Sequence, residues 1–144
     1  MPSAKNFLNP AQQQLVLKAI AEAEMATAGE IRVHLENFCL FDPVVAAGKI
    51  FLKLGMHQTK ERNGVLIYLA TYSRKIAIIG DQGIHERLGT EFWSAMVQKM
   101  ISNLREDHKA EGLSACIREC GNQLKHFFPR LEDDTNELSN DISY

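Results

Sequence analysis

Hydrophobic positions along the chain follow two periods, one typical of helices and one typical of strands. Asn9-Pro10 has the form of a helix N-cap followed by a proline at the first helical position, and apolar residues then recur at helical spacing until Gly29. The next segment, "EIRVHLE", alternates strictly between apolar and polar residues. That alternation predicts a strand with one face only partly buried.

The middle of the chain repeats this order and then departs from it. Asp42-Pro43 is a second cap signal, and the helical stripe after it runs to Gly55. The segment "GVLIYLA" is apolar on both faces, which indicates a central strand covered on both sides. Only "TYSRK" separates it from "IAIIG", so the second and third strands should form an antiparallel hairpin.

Two longer helices should complete the fold. One begins at Thr90, and the other ends before Pro129; each carries a broad apolar stripe. A helix that links the first two strands requires a parallel, right-handed crossover between them. The predicted fold is therefore α/β, with a mixed twisted β-sheet sandwiched between α-helices.

Composition limits the number of domains and the classes of partner. A chain of 144 residues with 45% hydrophobic residues is expected to form a single domain spanning 1–144. The net charge of -2 is unevenly distributed along the chain. The C-terminal tail, 131–144, is acidic, with five acids and no Lys or Arg. The remainder has 18 − 5 = 13 acids against 16 bases, too weakly basic for a nucleic-acid surface. In the tail, Ile142 and Tyr144 should dock on the body while Glu132 to Asp134 stay solvated.

The cysteines and the N-terminal sequence indicate the cellular compartment in which the protein is expected. Three cysteines without CxxC spacing predict buried free thiols in a reducing compartment, with zinc shared by Cys116, Cys120 and a histidine as the alternative. No signal peptide and no apolar run of ~20 residues is present. We therefore expect a soluble, cytoplasmic protein without direct membrane insertion.

The third strand ends on a carboxylate between glycines, "GDQG". Because this strand runs opposite to the first, Asp81 should lie beside Glu30, and Glu86 could add a third oxygen donor. Gly80 and Gly83 would let the backbone approach a ligand closely. Calcium requires several such oxygens, so these acids form a candidate metal site. The alternative is that Asp81 caps the short helix that follows and Glu86 complements its dipole.

A second acidic group is expected at the opposite end of the sheet. Asp42 and Glu36 fall there, and Glu111, at the start of the last helix, could join them. The alternative is that Asp42 is a helix cap and that the other two acids are solvated.

Several separated blocks occur in the order typical of one family. "AIAEAEMATAGEIRVHLE", "RNGVLIYLA", "RKIAIIGDQGIHERLG", the "EGL" that begins at Glu111 and the closing "FPRLEDDTNELSNDISY" together resemble the TPM domain. That family is named for a thylakoid lumen protein, a photosystem II repair protein and a modulator of a nematode acetylcholine receptor. The resemblance runs from about Phe7 to Tyr144 and implies a compact, soluble bacterial member.

The resemblance also implies a chemistry. Family members are associated with divalent-cation binding, often calcium, and the plant lumen member with acid phosphatase activity. The positions that match the family pattern are Glu30, Asn63-Gly64, Gly80, Gly83, Glu86 and Glu111.

Two functions follow from the residues and the resemblance together. The first is a module that binds a divalent cation, expected to be calcium, and acts through an unknown protein partner in interaction or assembly. The alternative is a metal-dependent acid phosphatase acting on phosphomonoesters, which would need Arg or Lys beside the metal; the candidates are Arg62, Arg74, Lys75 and Arg87. Calcium should raise the melting temperature, and Asp81→Asn should largely remove the rise if Asp81 is a ligand.

Overall fold

A computed structural model describes residues 1–130 and 141–144. Its strands are β1 (Glu30–Glu36), β2 (Gly64–Ala70) and β3 (Lys75–Gly80). Its α-helices are α1 (Pro10–Met25), α2 (Pro43–Lys53), α3 (Gln82–Leu88), α4 (Thr90–Arg105) and α5 (Lys109–Phe127). Short 3-10 turns occupy Ala4–Asn6 and Met56–Gln58.

Local signals account for the starts of the first two helices. The Asn9 side chain accepts a hydrogen bond from the Gln12 amide, and the Gln12 side chain accepts one from the Asn9 amide, both at 2.8 Å. Asp42 caps α2 by accepting from the Val44 amide at 2.8 Å. The C-terminal ends of the helices were predicted less well. Helix α1, for example, stops at Met25, before the expected Gly29.

The sheet has the predicted topology. Its strand order is β1-β2-β3, with β1 parallel to β2 and β2 antiparallel to β3. The register pairs Glu30 with Gly64 and Val65 with Gly80, so β1 and β2 begin at the end of the sheet where β3 finishes. Asp81 follows β3 directly and donates its amide to the Gly64 carbonyl at 2.8 Å.

Helices cover both faces of the sheet. Helices α1, α4 and α5 pack on one face, over the alternate strand residues Ile31, Val33, Leu35, Val65, Ile67 and Leu69. Helix α2 covers the other face, over Leu66, Tyr68, Ala70 and Ala77. This arrangement explains why every residue of β2 is buried.

The C-terminal residues lie against the outer edge of β1. The Ser143 amide donates to the Val33 carbonyl and the Leu35 amide donates to the Ser143 carbonyl, both at 2.9 Å. Ile142 packs against the core as predicted, whereas Tyr144 remains 48% exposed. The expectation that Glu132 to Asp134 are solvated falls outside the described residues.

Two further predictions can be compared with the structure. Cys39, Cys116 and Cys120 are free and buried. Among the helices that the structure describes, none is long and apolar enough to cross a membrane.

Candidate functional site

Most of the buried polar side chains gather at one end of the sheet. Of nine that are buried in the described part of the chain, six lie where β1 and β2 begin and β3 finishes: Glu24, Thr27, Glu30, Thr59, Asn63 and Asp81. We call this group the polar end of the sheet. Because burying polar groups costs free energy unless they are paired, their collection at one place requires a chemical explanation.

The centre of this group is a pair of carboxyl groups. Glu24, near the end of α1, and Glu30, the first residue of β1, are each only 2% exposed. Glu24 Oε2 accepts a hydrogen bond from the Ile31 amide at 2.9 Å, and the Glu24 carboxyl interacts electrostatically with that of Glu30. Two neighbouring buried carboxyl groups repel each other unless one of them carries a proton.

The environment of the pair favours that proton. Burial, together with the neighbouring carboxyl group of Glu30, raises the pKa of Glu24 from 4.5 to about 9. The Ile31 amide and the positive charge of Arg130 act in the opposite direction. The pair therefore carries a proton at neutral pH, and it holds no more than one negative charge in that state.

Backbone contacts hold the pair in place. Arg130 Nη1 donates to the Glu24 carbonyl at 2.9 Å, which ties the end of α1 to the residues after α5. The Glu30 amide donates to the Asn63 carbonyl at 3.4 Å, which joins β1 to the start of β2. Within residues 1–130 and 141–144, the buried atoms Glu24 Oε1 and Asn63 Nδ2 have no hydrogen-bond partner. The site thus has polar capacity that the protein does not use fully.

Asp81 lies at the same end of the sheet but has partners of its own. Arg62 forms a bidentate ion pair with it, Nε to Oδ2 at 2.7 Å and Nη2 to Oδ1 at 2.8 Å. Asp81 Oδ1 also accepts from the Gln82 amide at 2.7 Å, so it is the N-cap of α3. Glu86 is exposed and accepts a hydrogen bond from the Gln82 side chain at 3.2 Å. The cap interpretation of Asp81 is confirmed.

The two glycines that flank this loop serve protein packing. A Cβ on Gly80 would lie 2.4 Å from the Trp93 ring, and one on Gly83 would lie 2.2 Å from the Glu61 carbonyl oxygen. Both positions require glycine because the protein itself fills the space. The close approach that we attributed to a ligand is therefore made by the protein.

The second predicted acidic group is dispersed. Asp42 is exposed at the start of α2, and Glu111 is exposed in the first turn of α5. Glu36 instead accepts a hydrogen bond from the hydroxyl of Tyr68. Within 1–130 and 141–144, no three His, Cys, Asp or Glu side chains are grouped as metal ligands.

A polar network that the sequence did not predict crosses the far end of β1. His34 is 4% exposed; its Nδ1 lies 2.8 Å from Ser143 Oγ, and its Nε2 lies 3.2 Å from Glu36 Oε1. Burial lowers the pKa of His34 below 6.5, although Glu36 opposes the change. The alternation of "EIRVHLE" places His34 and Glu36 on one face, but nothing in the sequence connects them with Ser143.

Three of the four basic residues suggested for phosphate binding already contact other groups of the protein. Arg62 holds Asp81, and Lys75 donates to the Phe41 carbonyl at 2.7 Å. The guanidinium of Arg87 lies over the Phe127 ring, 5.7 Å from its centroid. Each of these three basic side chains is therefore already paired with a protein group.

A three-stranded mixed sheet between helices, with a buried polar end, defines an α/β domain, and comparisons place it in a family. The TPM domain matches residues 3–123, and the chain belongs to this family. The BA42 protein of the psychrophilic bacterium Bizionia argentinensis, solved by NMR, is 36% identical, with 95% of this chain and 94% of that chain covered and a TM-score of 0.86.

A more distant structure shares the fold. It is the N-terminal domain of a protein from P. gingivalis, which is 21% identical over 91% of this chain and 83% of that chain, with a TM-score of 0.68. The comparison with curated proteins gave no match. These comparisons establish the TPM family and the α/β fold.

Proposed function

We propose that this TPM domain is a divalent-cation-binding interaction or assembly module, with calcium as the expected ion and the polar end of the sheet as its site. Glu24 and Glu30 would supply the carboxylate ligands. The observation that carries the proposal is the burial of these two carboxyl groups, each 2% exposed, together with their mutual electrostatic interaction.

The chemistry of the pair supports a cation. Two carboxylates in contact repel each other, so one retains a proton unless another positive charge takes its place. A divalent cation that displaced this proton would neutralise both groups together. Carboxylates also belong to the oxygen ligands that calcium prefers.

Neighbouring groups could contribute further oxygens. The Asn63 side chain is buried at the start of β2, and a change of its amide rotamer would exchange its nitrogen for its oxygen. The Thr27 hydroxyl is not one of these groups, because it already donates to the Phe128 carbonyl and accepts from the Gly29 amide. Among the acids predicted from the sequence, Glu30 is retained as a ligand. Asp81, Glu86, Asp42 and Glu111 are not, because each is a helix cap or exposed.

The test is a calcium titration of the wild-type protein and of matched variants. Calcium binding should raise the melting temperature and release a proton, so its affinity should increase up to about tenfold per pH unit between about pH 6 and pH 8. Glu30→Gln and Glu24→Gln should abolish both effects. Asp81→Asn should still respond to calcium.

Other outcomes would contradict the assignment. A calcium response that persists in Glu30→Gln but disappears in Asp81→Asn would move the site to Asp81. Loss of the response only in Asp42→Asn or Glu111→Gln would move it to the other end of the sheet. The absence of any response in the wild-type protein would refute the proposed cation site.

The phosphatase alternative is tested with the same proteins. It requires calcium-dependent hydrolysis of p-nitrophenyl phosphate that Glu30→Gln removes. The binding module predicts no such turnover, because three of the four basic side chains suggested for phosphate contact already hold protein groups.

A further inference from the structure

The outer edge of β3 has hydrogen-bonding groups without a partner strand. β3 is last in the strand order, and the Asp81 amide bonds the Gly64 carbonyl, which sets the alternation of the antiparallel ladder. Residues 75, 77 and 79 therefore direct their backbone groups towards β2. Ile76, Ile78 and Gly80 direct theirs away from it.

The opposite edge of the sheet, formed by β1, is hydrogen-bonded to other parts of the chain. On β1, the Ile31 amide donates to Glu24, and the backbone of Ser143 bonds Val33 and Leu35. In the described residues, the backbone of β3 makes no such contact beyond the ladder with β2. Among the described residues, the β1 edge is covered by other parts of the chain, whereas the β3 edge is open.

The open edge forms the floor of an apolar groove. The groove has a volume of about 540 Å³, and all five residues from Ile76 to Gly80 line it. Val44 of α2 forms one wall, and Trp93 and Val97 of α4 form the other. The edge is thus recessed between two helices.

The sequence of β3 does nothing to protect this edge. Natural edge strands usually carry proline, a bulge or inward-pointing charges that prevent pairing with other chains. β3 reads "KIAIIG", and its single charge, Lys75, is held at the Phe41 carbonyl. The α2 wall extends into exposed apolar side chains, with Phe41 at 83% and Val45 at 56% exposure. A surface of this kind is typical of an interaction site.

We propose that the groove along β3 binds an extended, apolar segment of a partner protein, which adds a fourth strand to the sheet. The outward amides and carbonyls of Ile76, Ile78 and Gly80 would pair with the backbone of that segment. Its alternate side chains would face Val44 on one side and Trp93 on the other. This inference specifies the partner of the proposed interaction module but does not depend on the cation site.

The recessed edge favours a peptide over a second copy of this chain. In a symmetric dimer, two β3 edges would have to approach to about 4.8 Å. Each edge carries its own α2 and α4 walls, which would meet those of the other copy first. A single extended segment has no such walls, and five residues at about 3.3 Å each match the length of the groove floor.

The probe is a phage-displayed library of heptapeptides that have Val, Ile, Leu or Phe at alternate positions and any residue between them. Enriched peptides are synthesised and their affinities measured, with calcium and separately with EDTA. Ile76→Pro removes an outward amide without breaking the β2 ladder, and Ile76→Val is the matched control that keeps it. We expect Ile76→Pro to weaken binding about tenfold or more and Ile76→Val to bind normally.

A second measurement uses only the wild-type protein, so it remains valid if Ile76→Pro fails to fold. N-methylation at alternate peptide positions should abolish binding in one register and spare it in the other, because only alternate amides face β3. Binding should persist in EDTA, which separates this result from failure of the cation site.

Three outcomes would overturn the proposal. One is that the library yields no enriched peptides. Another is that the N-methyl effects show no alternation or that well-folded Ile76→Pro binds normally. The third is a wild-type dimer in analytical ultracentrifugation that Ile76→Pro dissociates, because the edge would then belong to a second copy.

Discussion

Replacing Glu24 by glutamine should flatten part of the pH dependence of folding stability. In the folded protein the pKa of Glu24 is raised to about 9, against an ordinary value of 4.5. A carboxyl group with a raised folded pKa contributes its full stability below about 4.5, and this contribution is lost as the pH rises towards 9. Glutamine cannot ionise, so the stability of Glu24→Gln should not fall in this way as the pH rises.

The magnitude follows from proton linkage. Between the two pKa values, folding takes up about one proton, and each pH unit changes the free energy of unfolding by about 1.4 kcal/mol. From about pH 6 to pH 8, the wild-type protein should therefore lose roughly 3 kcal/mol relative to Glu24→Gln. The comparison between proteins cancels the titration of His34 and of the other groups that do not interact with Glu24, whereas Glu30, which is coupled to Glu24, contributes to the difference.

The assay is urea denaturation followed by circular dichroism, carried out in EDTA so that no divalent cation replaces the proton. Glu22→Gln is the matched control, because Glu22 is on the same helix with a side chain that is 60% exposed and paired only with Lys18. That variant should retain the wild-type slope. A wild-type slope equal to that of Glu24→Gln would show that the two carboxyl groups do not share a proton.

Three further predictions concern the surrounding structure. Gly83→Ala should lose about 1–3 kcal/mol in thermal unfolding, because its Cβ would meet a backbone oxygen at 2.2 Å. Gly48→Ala, with nothing within 4 Å in α2, should instead gain about 0.5–1 kcal/mol; equal effects in the two variants would contradict the packing explanation. Asp81→Ala should be about 1 kcal/mol less stable than Asp81→Asn in urea, because asparagine still caps α3 although both variants lose the charge that pairs with Arg62. The His34 imidazole should titrate below 6.5 by NMR, and its contribution to stability should be lost as the pH falls through that lower pKa; a midpoint at or above 6.5 would refute its burial as a neutral group.

The element order and the strand directions could be predicted because they depend on local pattern. "EIRVHLE" and "GVLIYLA" have the period and composition of strands, and the turn after Ala70 is too short for a crossover. That reasoning also placed Glu30 and Asp81 at the same end of the sheet, where the structure has them. The cap at Asp81 could be read from the same stretch.

The grouping of the acids depends on packing that no local pattern records. Glu24 meets Glu30 because α1 ends on the same side of the sheet at which β1 begins, and "AEAEM" carries no sign of that contact. Arg62 precedes β2 in the chain, yet the hairpin brings it to Asp81, nineteen positions later. A carboxylate already held by a guanidinium has less need of a metal.

The sequence by itself determined the α/β order, the hairpin and the placement of Glu30 and Asp81 at one end of the sheet, because periodicity and turn length act over a few residues. The tertiary structure decided which acids share a proton, which glycines meet protein atoms, and that, within residues 1–130 and 141–144, Ser143 covers the edge of β1 while the edge of β3 has no partner. Those outcomes depend on contacts between residues far apart in the chain. Burial makes these contacts energetically important. A carboxylate that water would solvate at little cost must, inside the fold, either take up a proton or pair with a positive charge.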